Sequence, residues 1–232
     1  PPRPAPGPGT TRFYDVERGF DEFKAIFGAY PAMYINHALN AENLYWGSDL
    51  FSFAPYRWAG AIAIRHQFSG HDPDSEFFWG DLAQKRVRYM RRFTFQNANL
   101  LAVNASIPYR LPDKPYVNYW FPTANGARAI EFDWLLRREN IERLEREGGV
   151  CLVYAHLGSG SFNKDGGLDR RFVERITELS AHNGWFVPAS EILDYMRGRR
   201  SWTGDLSYLE RLRVDTRFIA ERLLLSVTRL LD

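Results

Sequence analysis

Val150-Cys151-Leu152-Val153-Tyr154-Ala155 is an unbroken apolar run of strand length, closed by His156 and the glycine-rich Gly158-Ser159-Gly160. A continuous apolar run, unlike an alternating one, marks a strand covered on both faces. Before it, Leu135, Leu136, Ile141 and Leu144 give a helix from about Glu131 with the i, i+4 pairs Glu139–Arg143 and Glu142–Arg146, stopped by Gly148-Gly149. After it, Asp169 is placed to cap a helix that buries Phe172, Ile176 and Leu179 and ends at Asn183-Gly184. Trp185-Phe186-Val187 reads as the next strand, and Ser190 as the cap of a helix over Glu191 to Met196 that packs Ile192 with Tyr195 or Leu193 with Met196. Helix, strand, helix, strand, helix implies right-handed crossovers and a parallel sheet or barrel.

Upstream the pattern is less regular. Arg12 to Asp15 reads as a short strand, Phe20, Phe23 and Phe27 recur at helical spacing up to Gly28, and Ala32 to Asn36 reads as a buried strand ending at His37. Between Leu44 and Thr123 the pattern predicts strands at Ala61 to Ile64 and Tyr116 to Phe121 and a helix over Leu82 to Arg92, within a loop-rich stretch. Residues 1–10, Pro/Gly-rich, form a linker or tail without helix or sheet, and the chain reads as processed or a fragment. Residues 11–232 are expected to form one α/β domain, a length that suffices for a real core.

Composition narrows the function classes. Thirty basic against 28 acidic residues leave a net charge of +2 and no electrostatic footprint for nucleic acid, the small cluster Arg197, Arg199 and Arg200 reading as a solvated helix end. No apolar stretch is long enough to span a bilayer, and the start lacks the order of a signal peptide, so a soluble protein of unassigned localisation is expected. The single Cys151 forms no internal disulfide and sits in the apolar run. Aromatic residues reach 16%, with seven Trp, enough to line a sugar-binding groove as well as a core.

Ligands bind at the carboxyl ends of parallel strands, where the loops converge. Asp15, His37 and His156 stand at such predicted ends and together would suit a divalent metal and a proton carrier. A histidine that closes an apolar strand and opens a glycine loop is poorly explained by packing, which favours a functional His156. His37 sits among Asn36, Asn40 and Asn43, which offer oxygen ligands or ordinary turns, and Asp15 would equally cap the following helix. The loop Gly70 to Asp81 combines acids, His71 and rings without tight ligand spacing, so it reads as substrate-binding, with His71 and Trp79 as candidates. His66 reads as structural, and His182 as complementing a helix C-terminus.

The stretch Glu139 to Arg197 resembles the end of the polysaccharide deacetylase family: Gly148 to Leu157 looks like its last motif, an apolar strand closing on histidine, and Gly184 to Pro188 with the Leu-rich helix after it fits the family's next strand and helix. Asn36 to Asn40 with Trp46-Gly47, then Phe78 to Asp81, look like a divergent branch. The resemblance implies a distorted (β/α)₇ deacetylase-type barrel, complete or lacking its first motif. It further implies a divalent metal, zinc above cobalt or manganese, held by His37 and Asn40, and an acetylated oligo- or polysaccharide as partner, its rings held by Trp46, His71 and Trp79. Metal-activated water would attack the acetyl carbonyl, Asp15 would stand where the family has its acidic residues, and His156 would protonate the leaving group. The chain departs from the family where the second ligand histidine would fall, which is Ala41, and at the paired acids of the first motif, since Val16 follows Asp15. A non-catalytic, sugar-binding relic of the same barrel, or a truncated fragment of it, is the alternative.

Overall fold

The computed structural model describes residues 11–37, 39–63, 68–164, 166–199, 202 and 204–231. The readings of residues 1–10 as a linker and of His66 as structural fall outside them. The chain divides into two compact units. The first comprises the described residues of Pro1–Arg92, Pro108–Phe121 and Arg200–Asp215, and the second those of Phe93–Ile107, Pro122–Arg199 and Thr216–Asp232.

Helix α1 (Phe13–Phe27) occupies the segment whose start the pattern assigns to a strand. Asp15 decides this locally. Its Oδ2 accepts the Arg12 N–H at 3.4 Å, satisfying a donor that a helix start leaves open, and its charge sits at the positive end of the helix dipole. Val16 and Phe20 are buried, and Gly28, at φ 78°, ends the helix with its N–H on the Lys24 carbonyl, as read from the sequence.

Strand β1 (Met33–Tyr34) follows, then helix α2 (Ala54–Ala63) in place of the strand predicted from Ala61, and helix α3 (Gly80–Arg86). The helix predicted over Leu82 to Arg92 stops at Arg86, and β2 (Tyr89–Phe95) begins three residues later. Tyr89 to Phe93 are all buried, so both faces of β2 are covered and the two arginines lie inside. β3 (Tyr119–Asn125) and β4 (Val153–Tyr154) complete a sheet of order β1-β2-β3-β4. β1 pairs in parallel with β2, Met33 opposite Tyr89, and β3 in parallel with β4, Asn125 opposite Tyr154. The fold is mixed α/β around a parallel sheet, as the sequence implies. The core strand of the predicted barrel is nevertheless an edge: Val153 is 37% exposed and Leu152 only 6%, so β4 is not covered on both faces.

The helix expected from Glu131 is two, α4 (Ala129–Leu135) and α5 (Arg138–Arg146). Asn140 separates them, because its Nδ2 donates to the carbonyls of Trp134 and Leu135 at 3.1 and 3.0 Å and closes the end of α4. After β4, a two-strand antiparallel hairpin of β5 (Asn163–Lys164) and β6 (Gly167–Leu168) leads to α6 (Arg170–Ser180). Asp169 caps that helix as predicted, accepting the N–H groups of Arg171 and Phe172. Phe172 packs on Phe132 and Phe162, with ring centroids 5.0 and 5.3 Å away, but Ile176 is exposed. Trp185 and Phe186 are also exposed and lie in coil, not in the strand expected there. α7 (Ala189–Arg197) buries Leu193 and Met196, and α8 (Tyr208–Leu231) ends the described chain. No helix among the described residues is long and apolar enough to cross a membrane.

Candidate functional site

In the second unit, β3 and β4 end in register at Asn125 and Tyr154, and His156 stands just beyond. Its N–H reaches the Ala127 carbonyl at 3.4 Å, and its carbonyl accepts the Ser159 N–H at 2.9 Å, which holds the glycine loop in a turn. The imidazole is exposed and its Nε2 lies 2.8 Å from the Tyr154 hydroxyl. Around the same strand ends, Glu131 accepts the Arg128 N–H and guanidinium at 3.1 and 2.8 Å. Burial pushes the Glu131 carboxyl up, but Arg128 outweighs it and holds the group below the usual range. His156 thus presents a solvent-facing imidazole with a hydroxyl partner, at the strand ends where parallel folds bind ligands.

The other predicted residues belong to the first unit. Asp15 lies in the first turn of α1, where its carboxylate meets Arg12 and Arg18, and not at a strand end. The loop after β1 carries His37, exposed, and Asn40, buried. Asn36 is enclosed and braces the loop by bonding both the N–H and the carbonyl of Leu44, and Asn43 does the same for His37. These asparagines act on the backbone as an internal scaffold. Asn40 directs its Nδ2 at Glu42 Oε1, 3.1 Å away. As ligands, His37 and Asn40 supply one imidazole and one amide, whereas a catalytic zinc takes three protein donors, and Ala41 is buried where the second histidine would stand. Among the described residues no group of three or more His, Cys, Asp or Glu gathers that could hold an ion. The donor set does not fit the expected metal.

Trp79 is fully enclosed. It packs on Tyr34 and Phe20 at 4.6 and 6.1 Å and donates its indole N–H to the Glu42 carbonyl at 2.6 Å, so it is a core residue and offers no ring to a sugar. Trp46 is half-buried and precedes the 3₁₀ turn Gly47–Leu50. His71 is mostly enclosed: Nδ1 accepts the Tyr45 N–H at 3.1 Å, and Nε2 faces Asp49 Oδ2 at 3.6 Å.

Four residues around His71 are not marked as site candidates by the sequence: Tyr45, Tyr116, Lys114 and Asp49. Tyr45 is buried with a φ of 47°, and its hydroxyl accepts the Tyr116 N–H at 3.4 Å; burial pushes its phenol up to about 12. Lys114 is buried, its Nζ 3.2 Å from Asp113 Oδ2 and 5.5 Å from the Tyr45 ring centroid, and burial lowers its pKa despite Asp113. Loop residues 26 to 71 positions apart meet here, which only tertiary structure arranges. No family model matches the chain, and comparisons with curated proteins and with solved structures find none that matches.

Proposed function

We propose that the chain is a hydrolase of acetylated carbohydrate in which His156 carries the proton to the leaving group. The observation that supports this is the exposed His156 at the ends of β3 and β4, 2.8 Å from the Tyr154 hydroxyl. Water adds to the acetyl carbonyl with loss of a proton to bulk solvent, the bond from that carbon to the sugar nitrogen or oxygen breaks as the departing atom takes the imidazolium proton, and the acetic acid formed ionises to acetate, leaving a free amine or hydroxyl and an imidazole that regains its proton from solvent. Tyr154 keeps the ring oriented through its hydrogen bond.

A second reading, a carbohydrate-binding domain without catalysis, is favoured by Ala41 standing where the resemblance would place a ligand histidine. One assay separates the two: acetate release from acetylated chito-oligosaccharide or exopolysaccharide, with Zn²⁺, Co²⁺ or Mn²⁺ supplied. Under the hydrolase reading His156→Ala lowers kcat by roughly 10²- to 10⁴-fold and leaves oligosaccharide affinity intact. Wild-type protein that binds the oligosaccharide and releases no acetate belongs to the second reading; wild-type turnover unchanged in His156→Ala would place the proton elsewhere.

A further inference from the structure

In the first unit a strained tyrosine is paired with a histidine whose two ring nitrogens both have neighbours. Tyr45 is the one non-glycine among the described residues with a positive φ, 47°. Side chains resist that region, and such residues persist where their surroundings over-determine them. Here three contacts do so. The Tyr45 N–H is held by His71 Nδ1 at 3.1 Å, the ring lies on the imidazole with centroids 4.2 Å apart, and the hydroxyl takes the Tyr116 N–H at 3.4 Å.

A backbone N–H can only donate, so His71 Nδ1 must keep its lone pair and the ring proton must sit on Nε2, toward Asp49 Oδ2 at 3.6 Å. Protonating the ring would turn Nδ1 into a second donor aimed at a donor, and the bond that holds Tyr45 would become a repulsion. We infer that His71 is a positioning residue, and that its neutral Nε2–H form latches the turn from Tyr45 to Asp49 in place and releases it on protonation.

The charged groups around the ring come from three segments. Asp49, on the 3₁₀ turn, and Asp72, beside His71, favour the protonated ring, whereas Lys114, on the loop before β3, opposes it. Burial adds to Lys114 and prevails, so the ring titrates below the usual histidine value and the latch is closed at neutral pH. With the folded value depressed, stability from the latch is complete above the ordinary histidine pKa of about 6.5 and is lost as pH falls below it. Trp46 and Asp49 ride on the released turn, so sugar binding at Trp46 would weaken in acid; that consequence alone rests on the carbohydrate reading.

The latch is tested without a ligand. Nitrogen-15 spectra of the His71 ring in the intact chain should show the Nε2–H tautomer at about pH 8 and titration below about pH 6.5, and Tyr45 amide exchange, corrected for its intrinsic pH dependence, should accelerate at least roughly tenfold over the same titration. His71→Asn is the control, because its Oδ1 can stand where Nδ1 stood and cannot be protonated in this range; Tyr45 should then stay protected across the titration. His71→Gln, whose amide reaches the Nε2 position, should lose Tyr45 protection at every pH. An Nδ1–H tautomer in mild base, or the same acid-induced exchange in His71→Asn as in the wild type, overturns the inference.

Discussion

Arg92 and Asp215, 123 positions apart in sequence, form a fully buried ion pair with Nη2 and Oδ1 2.6 Å apart. Neither charge is left to its partner alone. Asp215 Oδ2 accepts the N–H groups of Ser52 and Phe53 at 2.7 and 3.0 Å, and Arg92 donates from Nε and Nη2 to the Leu50 carbonyl at 2.9 and 2.7 Å. The pair therefore ties β2, the start of α8 and the exit of the 3₁₀ turn that carries Asp49. Removing one partner strands the other charge away from water, so Asp215→Ala should cost about 3–5 kcal/mol in denaturant unfolding. The double variant Arg92→Met, Asp215→Leu should recover most of that loss. A single variant as stable as the wild type would show that water reaches the pair.

The two tryptophans nominated for sugar binding should separate cleanly. Trp79→Ala opens a cavity in the packing around Tyr34 and Phe20 and should cost about 3–5 kcal/mol, with the oligosaccharide affinity of the folded fraction unchanged. Trp46→Ala should leave Tm near the wild-type value and weaken oligosaccharide binding roughly tenfold, about 1.4 kcal/mol, by isothermal titration. Equal affinity in both variants would remove Trp46 from the site.

Leu152, just before β4, and Val153, its first residue, should respond oppositely, because side chains alternate along an extended chain. Leu152→Ala removes a buried side chain and should cost about 2–5 kcal/mol. Val153→Asp places its charge on the open side of the edge strand and should cost no more than about 1 kcal/mol, although the apolar run by itself would have made it severe. Chemical denaturation of the two variants measures both. A Val153→Asp protein that fails to fold would mean that the edge is covered in solution.

Where local chemistry sufficed, the sequence determined the outcome by itself. Gly28 ends α1 because few other residues take its left-handed backbone, and Asp169 starts α6 because its carboxylate reaches two open N–H groups. His156 was legible for the same reason: an apolar run must end somewhere, and a histidine followed by glycines marks the end. Helical spacing offered two pairs on α7, Ile192 with Tyr195 or Leu193 with Met196, and only the packing chose the second. The tertiary structure decided what depends on distant partners. Tyr89-Met90-Arg91-Arg92 falls in the helix that the pattern predicts over Leu82 to Arg92 and, with Phe93, becomes a strand buried on both faces, which Arg92 tolerates because Asp215 meets it from far along the chain. Val150 to Ala155 has the composition of a central strand and forms an edge, since coverage belongs to neighbours and not to the run itself. Trp79 is core and Trp46 is half-open although both are tryptophans in turn-rich loops, and His71 binds a backbone N–H 26 residues away; burial and hydrogen-bond partners of that kind are set by packing, which no local pattern records.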